Sequence, residues 1–80
     1  MPKLVQKSLE IVFKEYKIKD QDKKAKLLPE ITGMVYERNL AVVEYEKEKD
    51  KTRKNKQKIE VEEYDAQLDR LIKRFLERYK

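Results

Sequence analysis

Residues 46–58 read EKEKDKTRKNKQK, thirteen positions without one apolar side chain. Before them an apolar stripe recurs through Leu28, Ile31, Val35, Val42 and Tyr45, with Met34 and Ala41 alongside. After them a second stripe runs through Ile59, Val61, Tyr64, Leu68, Leu71, Ile72, Phe75, Leu76 and Tyr79. Each stripe keeps the spacing of three, four and seven that marks one face of a helix. Their registers disagree, because positions 28, 35 and 42 continue by sevens to Lys49, Lys56 and Glu63. One unbroken helix would aim the two stripes in different directions. A chain reversal around Asp50 to Asn55 is the more economical reading, laying a helix at about 29–48 against one at about 58–79. The competing reading is one long C-terminal helix in a dimeric coiled coil, since Glu, Lys, Gln and Arg are good helix formers. Charge pairing does not decide between them: Glu44–Glu48 repels at i,i+4 and Glu48–Lys51 attracts at i,i+3.

Upstream, Leu4, Val5, Leu9, Val12, Phe13 and Tyr16 share a face and predict a first helix at about 2–17, with Pro2 in its first turn and Ile11 off the stripe. Residues 18–22 read as a connection in which Asp20 or Asp22 caps the next helix. Pro29 disfavours helical geometry at Leu28, so a break is expected near 27–29. Gly33 sits inside the second helix at a cost of about 1 kcal/mol relative to Ala. Close approach of a neighbouring helix is its expected use, with a second break as the alternative. The expected architecture is all-α: residues 1–80 as one helical domain, a short N-terminal helix closing a three-helix bundle on a long hairpin, with residues 49–58 as a basic turn or helix.

Composition agrees with few, long elements. The 80 residues hold one glycine, two prolines, and no cysteine or histidine. Disulfides and the usual zinc sites are therefore excluded, and a chain this short buries only about 60% of its unfolded surface. The small core and the wide stripe of the last helix make a homodimer an expectation. Charged residues make up 46% of the chain, a dense Lys/Glu mixture like the surface ion networks of hyperthermophile proteins. No apolar run approaches the roughly 18 residues of a membrane span and no signal-peptide core is present, so a soluble cytoplasmic protein without a membrane partner is expected.

The chemistry on offer is narrow. Nucleophile–base pairs that need His or Cys are absent, and Ser8, Thr32 and Thr52 stand in no recognisable motif. There is no glycine-rich phosphate loop. No enzymatic activity and no cofactor are expected. Glu62, Glu63 and Asp65 form a small acidic cluster that reads as a solvated helix face rather than a metal site. The charge is concentrated elsewhere: residues 49–58 carry six Lys/Arg against one Asp, which equals the net +5 of the whole chain. Lys49, Lys51, Arg53, Lys54, Lys56 and Lys58 are candidate phosphate contacts, because closely spaced cations neutralise several phosphates at once. Asn55 and Gln57 are neutral donors suited to sugar or base edges. Lys23, Lys24 and Lys26 form a second basic group that would widen the patch if it folded beside the first. Tyr36, Tyr45, Tyr64 and Tyr79 could stack on bases, although most fit the apolar stripes.

Residues 37–76 resemble the layout of basic leucine-zipper proteins. The run Glu37-Arg38-Asn39-Leu40-Ala41-Val42 is similar to the start of that family's DNA-reading helix, Lys51, Arg53 and Lys54 follow, and Val61, Leu68 and Phe75 come at zipper spacing. The resemblance implies a dimer on DNA, with Arg38, Asn39, Arg53 and Lys54 as the only residues placed for such a role. Where the family's helix has arginines, this chain has Val42, Val43, Glu44, Tyr45 and Glu46. The functional expectation is a small regulatory or accessory protein that binds nucleic acid, double-stranded DNA above RNA, through 49–58. The alternative is a helical adaptor or assembly protein, in which Val61, Tyr64, Leu68, Leu71, Ile72, Phe75 and Leu76 bind a protein partner.

Overall fold

The computed structural model describes residues 4–79. Among them there are three helices and no strand: α1 (Leu9–Glu15), α2 (Gln21–Lys47) and α3 (Lys51–Arg78). The two long helices form the hairpin, α1 packs across their far end, and the whole measures 44 × 23 × 18 Å. The chain is thus an all-α bundle with a short first helix.

The reversal between α2 and α3 is built from carboxylates. Glu48 turns the chain out of helical geometry, and its Oε1 accepts from the backbone N–H of Lys49 and of Asp50, both at 3.1 Å. Asp50 then caps α3, accepting from the N–H of Thr52 at 3.2 Å. Side-chain oxygens satisfy the donors that would otherwise be orphaned at the helix start. The reversal therefore lies at 48–50 rather than across Asp50 to Asn55, and α3 starts at Lys51 rather than near 58. The basic segment is mostly helix.

The first helix is shorter than its apolar spacing suggests. Residues 4–8 are not helical, and Ser8 starts α1 by accepting from the N–H of Ile11 at 3.2 Å. Pro2 lies outside the described residues. The helix ends in a Schellman motif: the Ile18 N–H reaches back to the Phe13 carbonyl at 2.9 Å and the Lys17 N–H to Lys14 at 3.0 Å. Lys17 occupies the left-handed position, φ 56°, that glycine usually fills. The motif turns Ile18 inward onto Phe13, and both are buried.

No break occurs at 27–29. Asp20 caps α2, accepting from the N–H of Asp22 at 2.8 Å, and the helix continues through Pro29 to Lys47. A proline inside a helix costs about 3 kcal/mol or more. Leu27 and Ile31, on either side of it, are both fully buried, and each contributes about 1.5–3 kcal/mol from burial, enough to offset the proline. The buried stripe of α2 consequently contains Leu27, not Leu28, which is 39% exposed. Gly33 faces open space, with nothing within 4 Å of where a Cβ would stand, so neither a close helix approach nor a break explains it.

The core is in two parts. The larger joins Val12, Phe13 and Ile18 to Leu27, Ile31 and Val35 of α2 and Leu68, Ile72 and Phe75 of α3. The smaller, nearer the hairpin turn, holds Ala41, Val42 and Val61, with Leu4 and Tyr64 packed against it. Between them sits Arg38, only 2% exposed. Its guanidinium donates to Asp65 on α3, to the Val5 carbonyl at 2.8 Å and to Asn39 Oδ1 at 3.1 Å. Asn39 in turn grips the backbone of Lys7, accepting from its N–H at 2.9 Å and donating to its carbonyl at 2.8 Å. Residues 4–8 are thereby strapped along the hairpin.

Candidate nucleic-acid interface

Because α3 begins at Lys51, the basic segment occupies the turn and the first two turns of that helix. Lys49, Lys51, Arg53, Asn55 and Lys56 are exposed, while Lys54, Gln57 and Lys58 are half-buried. Arg53 reaches Asp50 at 3.9 Å, and the Lys54 ammonium lies 4.8 Å above the Tyr45 ring. Among the described residues, no carboxylate lies within ion-pair distance of Lys49, Lys51, Lys56 or Lys58.

The placement is electrostatically the wrong way round for the helix itself. A helix start carries about half a positive charge; the Asp50 cap answers part of it, and the first turn beyond the cap contains no acidic residue. Lys51 and Arg53 add cations at that end, while the Asp50 carboxylate, which also pairs with Arg53, offsets part of the field an arriving anion meets. At 100° per residue, Lys51, Thr52, Asn55 and Lys56 share the outward face of α3. The same face turns acidic at Glu62 and Glu63, which confines the cationic track to about two turns, roughly 10 Å. On the other side of the tip, α2 ends with Glu44, Glu46 and Glu48, so anions are favoured only from the α3 side.

Antiparallel packing sends the other sequence-expected elements elsewhere. Lys23, Lys24 and Lys26 lie at the opposite end of the hairpin, where Lys26 sits 4.9 Å over the Tyr79 ring and Lys24 5.8 Å over Phe13. They do not widen the patch. Tyr45 supports Lys54, Tyr64 flanks the smaller core, and Tyr79 packs on Phe75 with ring centroids 4.6 Å apart. Tyr36 stands out on α2, 62% exposed. Arg38 and Asn39 are held by the internal strap described above. Val61, Leu68, Ile72 and Phe75 are buried in the chain's own core, and Tyr64, Leu71 and Leu76 are half-buried around it.

One further polar cluster has no counterpart in the sequence pattern. The Tyr16 hydroxyl donates to Asp69 at 2.8 Å, and Asp69 also pairs with Lys73 at 3.0 Å. Burial, and then the hydrogen bond to Asp69, push the Tyr16 phenol far above its ordinary 10.0. The same hydrogen bond, with help from Lys73, holds the Asp69 carboxyl below its usual range. Lys7 and Glu15 form an ion pair at 3.1 Å beside it. These contacts lock α1 and the strap to the hairpin. Among the described residues no group of three or more carboxylates is arranged to hold a metal ion, and no helix is long and apolar enough to cross a membrane.

Compared with known proteins, the chain matches no family model, no curated protein and no solved structure.

Proposed function

We propose that the protein binds nucleic acid, double-stranded DNA being the favoured target, without catalysis, through the start of α3 and the turn before it. The observation that supports this reading is the set of four unpaired lysines, Lys49, Lys51, Lys56 and Lys58, gathered in the turn and the first turns of α3. Closely spaced like charges repel one another, and phosphates arriving among them relieve that repulsion.

The dimensions limit how the DNA is met. A major groove about 12 Å wide admits one α-helix, but the cationic track on α3 is short and gives way to Glu62 and Glu63 on the same face. The outer face of α3 therefore lies against the backbone, with Lys51 and Lys56 on phosphates and Asn55 the side chain best placed to approach a base edge. Phosphate contacts position a protein but carry no sequence information, so recognition is weakly sequence-dependent.

Four phosphate contacts give a slope of log affinity against log salt of about −3.6 on B-form DNA, a loss of roughly a hundredfold between about 50 and 200 mM salt. Fluorescence anisotropy with a labelled mixed-sequence duplex and a matched single strand measures both the slope and the preference. A duplex slope near that value, with weaker binding of the single strand, is expected; salt-independent binding, or none at the lower salt, would refute the reading.

A further inference from the structure

The outward face of α2 carries no charge over most of its length in a chain whose residues are 46% charged. Ala25, Pro29, Thr32, Gly33, Tyr36 and Leu40 fall along one line at helical spacing, opposite the buried stripe, and all are exposed. Tyr36 and Leu40 are large side chains exposed at 62% and 42%, and Gly33 beside them has no side chain and faces open space. The line ends in opposite charges, Asp22 in the first turn of α2 and Lys47 in the last. Neither makes an ion pair within the chain among the described residues.

We infer that this face associates with a second copy of the chain, as an antiparallel α2–α2 pair about a two-fold axis between Gly33 and Tyr36. In that register each Tyr36 ring packs over the partner's Gly33, where no side chain stands in its way, and Pro29 meets the partner's Leu40. The same register brings Asp22 opposite the partner's Lys47 at both ends. A parallel pairing instead sets Asp22 on Asp22, Lys47 on Lys47 and Tyr36 on Tyr36. Charge and shape are thus self-complementary in the antiparallel sense alone, as an isologous interface requires. The inference does not depend on nucleic-acid binding, and it uses α2 rather than the stripe of α3.

The contact is small. From Asp22 to Lys47 the face is about 37 Å long, and at about 10 Å of helix width it covers roughly 400 Å² per copy, half the usual 800 Å². The dimer is accordingly expected to be weak and concentration-dependent.

Sedimentation velocity on the full chain between about 10 µM and 1 mM tests this directly, across the range set by that small contact. A monomer–dimer transition is expected, weakened at least tenfold by Tyr36→Ala, with circular dichroism unchanged because the side chain is exposed. Asp22→Lys or Lys47→Asp alone should weaken the dimer, and the two together should restore it. The absence of native cysteines allows a geometric test. Pro29→Cys with Leu40→Cys should cross-link on mild oxidation, whereas Leu40→Cys alone should not, because the two Leu40 positions lie about 16 Å apart along the axis. A chain that stays monomeric throughout, a dimer indifferent to Tyr36→Ala, or efficient cross-linking through Leu40→Cys alone would overturn the inference.

Discussion

Arg38 shows how one residue can be misjudged when its neighbours are read as a motif. In the run of residues 37–42 it resembles a base-reading arginine, yet positions 31, 35, 38 and 42 form the buried stripe of α2. Its place on that stripe was legible; its partners were not, because Asp65 and Val5 are distant in sequence. Asp65→Ala removes the carboxylate from a nearly fully buried guanidinium. A loss of about 2 kcal/mol is expected in urea unfolding, below the 3–5 kcal/mol of a fully buried pair because the Asp65 side chain is 39% exposed. Arg38→Met should cost less on the hairpin while freeing residues 4–8, seen as faster amide exchange at Lys7. Tyr16 supplies a pH test. Its phenol is raised in the folded state, so its contribution is complete below the ordinary value of 10.0 and is lost as pH rises beyond it. Asp69 has the opposite sign: its carboxyl is lowered, so its contribution is present above the ordinary 3.8 and fades as pH falls through the folded value. Tyr16→Phe should therefore be less stable than the parent at pH 7, by about 1 kcal/mol for the lost hydrogen bond. The gap should narrow above pH 10, as thermal melts across that range would show.

At the scale of the elements, the hydrophobic period located both long helices, while their ends were set by interactions the period does not carry. The reversal has no glycine or proline, and a search for breakers passes over it. Glu48 and Asp50 stop and restart the helix as carboxylate acceptors, in a stretch where they look like ordinary members of a charged run. Pro29 shows the converse, a strong local breaker overruled because Leu27 and Ile31 bury on either side of it. Ser8 likewise shortens α1, and the strap that Asn39 holds takes the place of its expected first turns. Two exposed positions of α2 therefore carry helix-unfavourable residues without a packing reason within the chain. Gly33→Ala should raise stability by about 0.5–1 kcal/mol and Pro29→Ala by about 3 kcal/mol, in denaturant titrations at low micromolar concentration. No gain from Gly33→Ala would mean that the missing side chain serves the folded monomer after all.

Across the whole molecule, stability and charge are distributed unevenly. The larger core, α1 and the Tyr16–Asp69 lock lie toward one end, and the turn end rests on Ala41, Val42 and Val61. The unpaired lysines crown that lighter end, so the proposed phosphate contacts fall on the least reinforced part of the molecule. The all-α bundle and the basic segment were both legible in the sequence, because periodicity and net charge are local properties. The separation of Lys23, Lys24 and Lys26 from that segment was not, since it depends on the hairpin being antiparallel. The decisive experiment removes the charge of the basic tip while leaving the fold intact. It compares anisotropy of a labelled duplex at about 50 mM salt for the parent and for a variant with Lys49, Lys51, Lys56 and Lys58 all changed to Gln, helix content being followed by circular dichroism. Unchanged helix content and at least a hundredfold weaker binding are expected. A well-folded variant that binds as tightly as the parent would refute phosphate contact through the tip.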